Sequence, residues 1–145
     1  MRDRTMNFSK LVFHESSWPD VIGRTLTFIF NKCELELFYI EGNLSCCITK
    51  KECASFQERL ASCRIEEWSD TFQPPAGIAV MDGTTWTLEL FNGKKRIKEI
   101  CGTNAFPPME QWSALTSVLD EGYSIALRCG KELPIDIANS RVKLF

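Results

Sequence analysis

Residues 84–119, TTWTLELFNGKKRIKEICGTNAFPPMEQWSALTSVL, hold the densest run of local structural signals in the chain. Residues 85–91 alternate Trp86, Leu88 and Leu90 with Thr85, Thr87 and Glu89, the two-residue period of a half-buried strand. Asn92-Gly93 is a two-residue hairpin signal, because both residue types tolerate positive φ. The return segment, residues 94–100, places Ile97 among Lys94, Lys95, Arg96 and Lys98, so its outer face is expected to be wet. Gly102-Thr103-Asn104 reads as a corner, and Pro107-Pro108 prepares a helix start. Trp112, Leu115, Val118 and Leu119 then form a helical stripe that Gly122 is expected to end.

Upstream lies a looser copy of the same grammar. Residues 24–30 are rich in β-branched and aromatic types and read as a strand. In residues 33–40, Cys33, Leu35 and Leu37 share one face and Glu34 and Glu36 the other. Glu41-Gly42-Asn43 is a turn, and residues 44–48 return. Thr49-Lys50-Lys51-Glu52 is a capping box, followed by an amphipathic helix over 50–64 with Cys53, Phe56, Leu60 and Cys63 on one stripe.

The remaining segments are less regular. Residues 11–13 fit a short strand, while HESSWPD (14–20) reads as a loop, since Ser-Ser and Trp-Pro disfavour regular structure. Residues 65–76 leave regular structure, 77–81 form a short apolar strand, and 123–128 fit one more strand. Residues 133–145 are either an edge strand or an arm. The pattern is therefore βββα–βββα, with pseudo-repeat halves at 24–64 and 77–119 and a C-terminal strand or arm within 130–145. It predicts one α+β domain over 1–145, an antiparallel sheet of about six strands carrying two helices on one face.

Composition bounds the function. The chain has 145 residues, 25% charged and 44% hydrophobic, with a net charge of −2, so no bulk electrostatic pull toward nucleic acid or anionic membrane exists. Its seven cysteines are odd in number and match no small secreted scaffold, and neither a signal-peptide stretch nor a transmembrane run is present. A cytoplasmic protein with reduced thiols is expected.

No residue set reads as catalytic. His14, the one histidine, lies near Glu15, Ser16 and Ser17 without the signature of a nucleophile–base device. No phosphate-binding glycine loop occurs. Adjacent Cys46 and Cys47 face opposite ways in a strand, no Cys-x-x-Cys pair exists, and no metal or cofactor is expected. Binding candidates are surfaces. Lys94, Arg96 and Lys98 beside Trp86 could stack and neutralise a nucleotide, or simply guard a hairpin edge. Trp18, Trp68 and Phe72 fall in loop-like segments, where an aromatic either plugs the core or anchors an interface. Glu34 and Glu36 form an acidic outer face that could steer a basic partner.

The Trp86-Thr87-Leu88-Glu89-Leu90 strand, the Gly102-Thr103-Asn104-Ala105-Phe106-Pro107 corner and the Trp112/Leu115 helix resemble a pattern in small bacterial and phage α+β proteins of unassigned function. The resemblance covers about a quarter of the chain; it implies a bacterial or phage origin and brings no catalytic residues. The expected function is that of a non-enzymatic binding protein acting through a protein–protein surface as an immunity protein, inhibitor or adaptor. The alternative is a small-ligand or nucleotide-sequestering module using the Trp86/Lys94–Lys98 hairpin, and a homodimer is compatible with either.

Overall fold

The computed structural model describes residues 8–18, 22–40, 42–73 and 83–132. Its elements in chain order are β1 (Lys10–Trp18), β2 (Ile22–Ile29), β3 (Glu34–Tyr39), β4 (Gly42–Cys47) and α1 (Lys50–Cys63), followed by a 3-10 turn at Ile65–Glu67. The chain continues through β5 (Thr71–Phe72), β6 (Gly83–Asn92), β7 (Lys95–Thr103), α2 (Met109–Cys129) and β8 (Lys131–Glu132). All eight strands join one sheet in the order β5-β7-β6-β1-β2-β3-β4-β8. The α+β class with two helices holds. Among the described residues the sheet has eight strands instead of about six, and it is mixed, because β5 runs parallel to β7.

The largest departure from the sequence reading is β1. Residues 14–18 continue the strand begun at Lys10, where a loop was expected. The reason is tertiary: β1 lies between β2 and β6 and is laddered on both edges, Phe13 opposite both Leu26 and Leu88 and His14 opposite both Thr25 and Thr87. Two ladders satisfy the backbone amides and carbonyls that Ser16 and Ser17 could otherwise bond locally.

Register sorts the residues cleanly between the two faces. One row across the sheet reads Ile100, Leu88, Phe13, Leu26, Leu37, Leu44, all buried. The neighbouring row reads Glu99, Glu89, Val12, Thr27, Glu36, Ser45 and faces away from the helices. Both helices cover the apolar face: Phe56 of α1 meets Phe28 edge-on with centroids 5.4 Å apart, and Gly122 of α2 lies against Phe28 and Leu26.

α1 forms as its sequence dictates. Glu52 N–H donates to Thr49 Oγ1 at 3.0 Å and Thr49 N–H donates to Glu52 Oε1 at 2.9 Å, the reciprocal capping box. Cys53, Phe56, Leu60 and Cys63 are its buried stripe. α2 departs from expectation. It runs through Gly122 to Cys129, absorbing the 123–128 segment expected as a strand, because Leu119, Gly122, Tyr123 and Ala126 continue the buried stripe. Gly122 is a contact residue here and no stop: a Cβ at this position would stand 2.8 Å from the Phe28 ring and 2.9 Å from Leu26. The absent side chain lets α2 settle onto β2.

Two turn readings also shift. Asn92 pairs with Lys95, so Gly93 (φ 64°) and Lys94 form the hairpin loop, one residue later than expected. Cys33 leaves the β3 face and sits in the β2–β3 turn at φ 51°. The hairpin–helix units that the structure describes are β2-β3-β4-α1 and β6-β7-α2. The strand expected at 77–81 and the segment 133–145 lie outside the described residues.

Gly122→Ala tests the close approach. Alanine raises helix propensity by about 1 kcal/mol, but its methyl meets a Phe28 ring already held by Phe30 and Phe56. Overpacking of about 1–3 kcal/mol should win, giving net destabilisation in urea unfolding. Ser124→Ala, on the exposed face of the same helix, should be neutral or slightly stabilising.

Candidate functional site

The sequence-predicted residues do not converge on one site. Trp68 is buried, and its indole Nε1 donates to Cys63 O at 3.1 Å, so it closes the end of α1 as a core plug. Trp18 ends β1 instead of lying in a loop, and its side chain is outside the described set. Glu34 and Glu36 stand on the helix-free face, opposite Ile29 and Thr27.

The basic strand is split by a register shift between Leu90 and Phe91. Leu90 pairs with Lys98 and Phe91 with Arg96, so Ile97 is the extra residue and Arg96 and Lys98 serve opposite sides of the sheet. Arg96 Nη1 lies 2.8 Å from Glu89 and 3.4 Å from Glu99 on the outer side. Lys98 Nζ lies 3.1 Å from Asp70. Trp86 is 0% exposed on the helix-covered face. A nucleobase therefore has no Trp86 surface to stack on, and Lys94, Arg96 and Lys98 do not form one cationic face beside it. The hairpin reading thus loses its Trp86 stacking platform.

What Trp86 does instead is organise an aromatic corner. Its cross-strand neighbour is Gly102, and the indole occupies the space that a Cβ there would need. Gly102 was expected to turn the chain; it lies inside β7 and makes room for the ring. The turn falls at Asn104, φ 49°, whose Oδ1 accepts Thr84 N–H at 2.9 Å while its own N–H donates to Thr84 O at 2.9 Å. The Asn104 side chain thus ties the corner to the start of β6. Trp86 Nε1 donates to Ala105 O at 3.0 Å, satisfying the one polar group of the buried indole.

Four rings surround the indole: Trp112 at 4.8 Å, Phe72 at 5.9 Å, Phe13 at 6.3 Å and Phe106 at 6.4 Å between centroids. Phe106 and Trp112 are themselves 4.9 Å apart. Pro108 opens α2, its carbonyl accepting Trp112 N–H at 3.0 Å, which fixes where Trp112 emerges. Trp86 and Phe13 are buried and Trp112 and Phe72 half-buried, whereas Phe106 is 43% and Met109 79% exposed. Of the sequence candidates whose side chains are described, Trp86 and Phe72 belong here, Phe72 half-buried on the edge strand β5. Phe106 and Met109 escaped the sequence reading because they lack periodic partners. Their signal was two large apolar residues flanking Pro107-Pro108 at a helix entrance.

A second cluster sits on the helix-covered side between β1, β2 and α2. Arg24 Nε donates to Glu15 Oε2 at 2.9 Å, the Tyr123 hydroxyl donates to the same oxygen at 2.7 Å, and the Arg24 guanidinium lies 3.6 Å from the Tyr123 ring centre. Burial, then the Glu15 carboxylate, push the Tyr123 hydroxyl well above its ordinary range. It is a hydrogen-bond donor, and a poor base, at neutral pH. On the opposite face His14 Nδ1 and Thr25 Oγ1 are 2.7 Å apart, in a strand and not a loop. Among the described residues no three His, Cys, Asp or Glu side chains converge as a metal site, and no helix is long and apolar enough to cross a membrane.

No protein-family profile matches the chain, and no curated protein matches it in sequence.

The buried acids set an alkaline limit. Tyr123, Cys46, Cys53 and Cys63 are all held protonated by burial, above ordinary values of 10.0 for the phenol and 9.0 for the thiols. Folded pKa values above unfolded ones mean that the stabilisation is complete below about pH 9 and is lost as pH rises beyond it. Melting temperature should therefore fall as pH is raised from 9 to 11. Tyr123→Phe should lower it at pH 7, by loss of a hydrogen bond to a carboxylate of about 1.5–3 kcal/mol, and flatten the alkaline decline above pH 10.

Proposed function

We propose that this protein is a non-enzymatic binding protein whose partner-binding surface is the aromatic corner, centred on Phe106 and Met109. The supporting observation is the contrast between exposure and rigidity. Met109 projects into solvent at the entrance of α2 and Phe106 is close to half exposed there, while Trp112, Trp86 and Phe72 hold the base of the patch in a bonded, close-packed stack. Aromatic and methionine side chains are enriched at the centres of interfaces, and a preordered anchor loses little conformational entropy on binding. A core needs neither residue exposed. In this reading the protein works in the cytoplasm of a bacterium or phage-infected cell, covering a partner's surface as an immunity protein, inhibitor or adaptor.

The test compares captured partners. Phe106→Ser/Met109→Ser should leave the melting temperature within a few degrees, since both side chains are solvent-facing, and should remove the proteins that the unaltered chain retains from a bacterial lysate at moderate salt. Lys95→Ala, on the exposed hairpin, should retain them. Equal capture by the corner variant would sink the proposal.

A further inference from the structure

The β2–β3 turn brings two thiols to one point. All seven cysteines are free, and they differ in setting: Cys47 and Cys129 are exposed and lie elsewhere, Cys53 is buried, and Cys33 is half-buried. Cys53 Sγ donates to Phe30 O at 3.4 Å, and Cys33 Sγ donates to the same oxygen at 3.9 Å. One carbonyl oxygen thus gathers sulfurs twenty positions apart in sequence, one from a turn and one from the first turn of α1. The backbone around them is tied down independently. Cys33 holds a left-handed conformation (φ 51°), its N–H donates to Phe30 O at 3.3 Å, and its carbonyl accepts Ile48 N–H at 2.9 Å. Cys53 N–H donates to Thr49 O at 2.9 Å inside the capped first turn. A non-glycine residue rarely adopts positive φ without a surrounding structure that enforces it.

We propose that Cys33 and Cys53 are a redox modification site, closing to an intramolecular disulfide when the protein meets hydrogen peroxide. The two thiols divide the chemistry by access. Burial, then the hydrogen bond with Cys33, push the Cys53 thiol up to about 11, so Cys53 is the poor first nucleophile and Cys33 the one that solvent reaches. The Cys33 thiolate attacks one peroxide oxygen: an S–O bond forms, the O–O bond breaks, and the departing hydroxide takes a proton to become water. Cys53 then attacks the sulfur of the Cys33 sulfenic acid, forming the S–S bond and expelling the second oxygen as water. Two thiols lose two electrons and two protons, and one peroxide becomes two waters. The bond staples the β2–β3 turn to α1 where the two already touch.

The experiment is peroxide oxidation of the native full chain, alkylation of the remaining thiols, tryptic digestion and mass spectrometry. The expected product joins fragment 33–50 to fragment 52–59 with loss of two hydrogens, and dithiothreitol reverses it. Because 33–50 also contains Cys46 and Cys47, the cross-link must vanish in Cys33→Ser and survive in Cys47→Ser. In Cys53→Ala, Cys33 should instead accumulate as a sulfenic acid trapped by dimedone. The oxidised wild type should melt roughly 5–10 °C higher than the reduced form. A cross-link that persists in Cys33→Ser overturns the proposal. So does complete oxidation of Cys47 and Cys129 with no 33–53 bond formed, or a lower melting temperature after oxidation.

Discussion

β1 pairs on both edges, and the sheet depends on that double ladder. Its partners are β2, which begins the first hairpin–helix unit, and β6, which begins the second. Removing β1 from the ladder would leave β5-β7-β6 and β2-β3-β4-β8 as separate smaller sheets, each with an unpaired inner edge. Each such edge would present a row of unpaired backbone N–H and C=O groups. The buried row from Ile100 to Leu44 is continuous only because Phe13 bridges Leu88 and Leu26. The hydrophobic face that both helices cover is therefore a product of one central strand.

Two glycines then determine how closely other groups approach this face. At Gly122 the missing side chain lets a helix backbone lie against Phe28 and Leu26; at Gly102 it admits the Trp86 indole. Neither conformation requires a glycine by its dihedral angles, in contrast to Gly93 in the hairpin loop. Both are required by what lies opposite. The consequence reaches the surface, because Trp86 backs Trp112 and the part-exposed Phe106. A strand-level accommodation becomes a shaped apolar patch.

Charge is handled locally. The register shift at Ile97 sends Arg96 toward Glu89 and Glu99, and Lys98 toward Asp70. These are exposed or half-exposed pairs, worth little each in stability, but they leave less uncompensated positive charge on the hairpin than its sequence suggests. Glu15, Arg24 and Tyr123 are different, since they bring a charged pair onto the helix-covered side and satisfy it with a buried hydroxyl.

The sequence by itself determined those elements whose signals are local. The capping box of α1, the alternation of β3 and β6 and the apolar stripe of α2 all depend on neighbours within about eight positions, where side-chain period and cap chemistry act directly. Tertiary structure decided what depends on a distant partner. Residues 14–18 became strand because β2 and β6 flank them. Gly122 stayed inside a helix because Phe28 fills the space beside it. A one-residue bulge separated cations that share a face in any regular strand. The candidate site followed the same division: Phe72 and Trp86 could be named from sequence, but only packing shows that Trp86 is hidden and that Phe106 and Met109 are left in solvent. Exposure is a difference between a residue and everything packed around it, so no local pattern contains it.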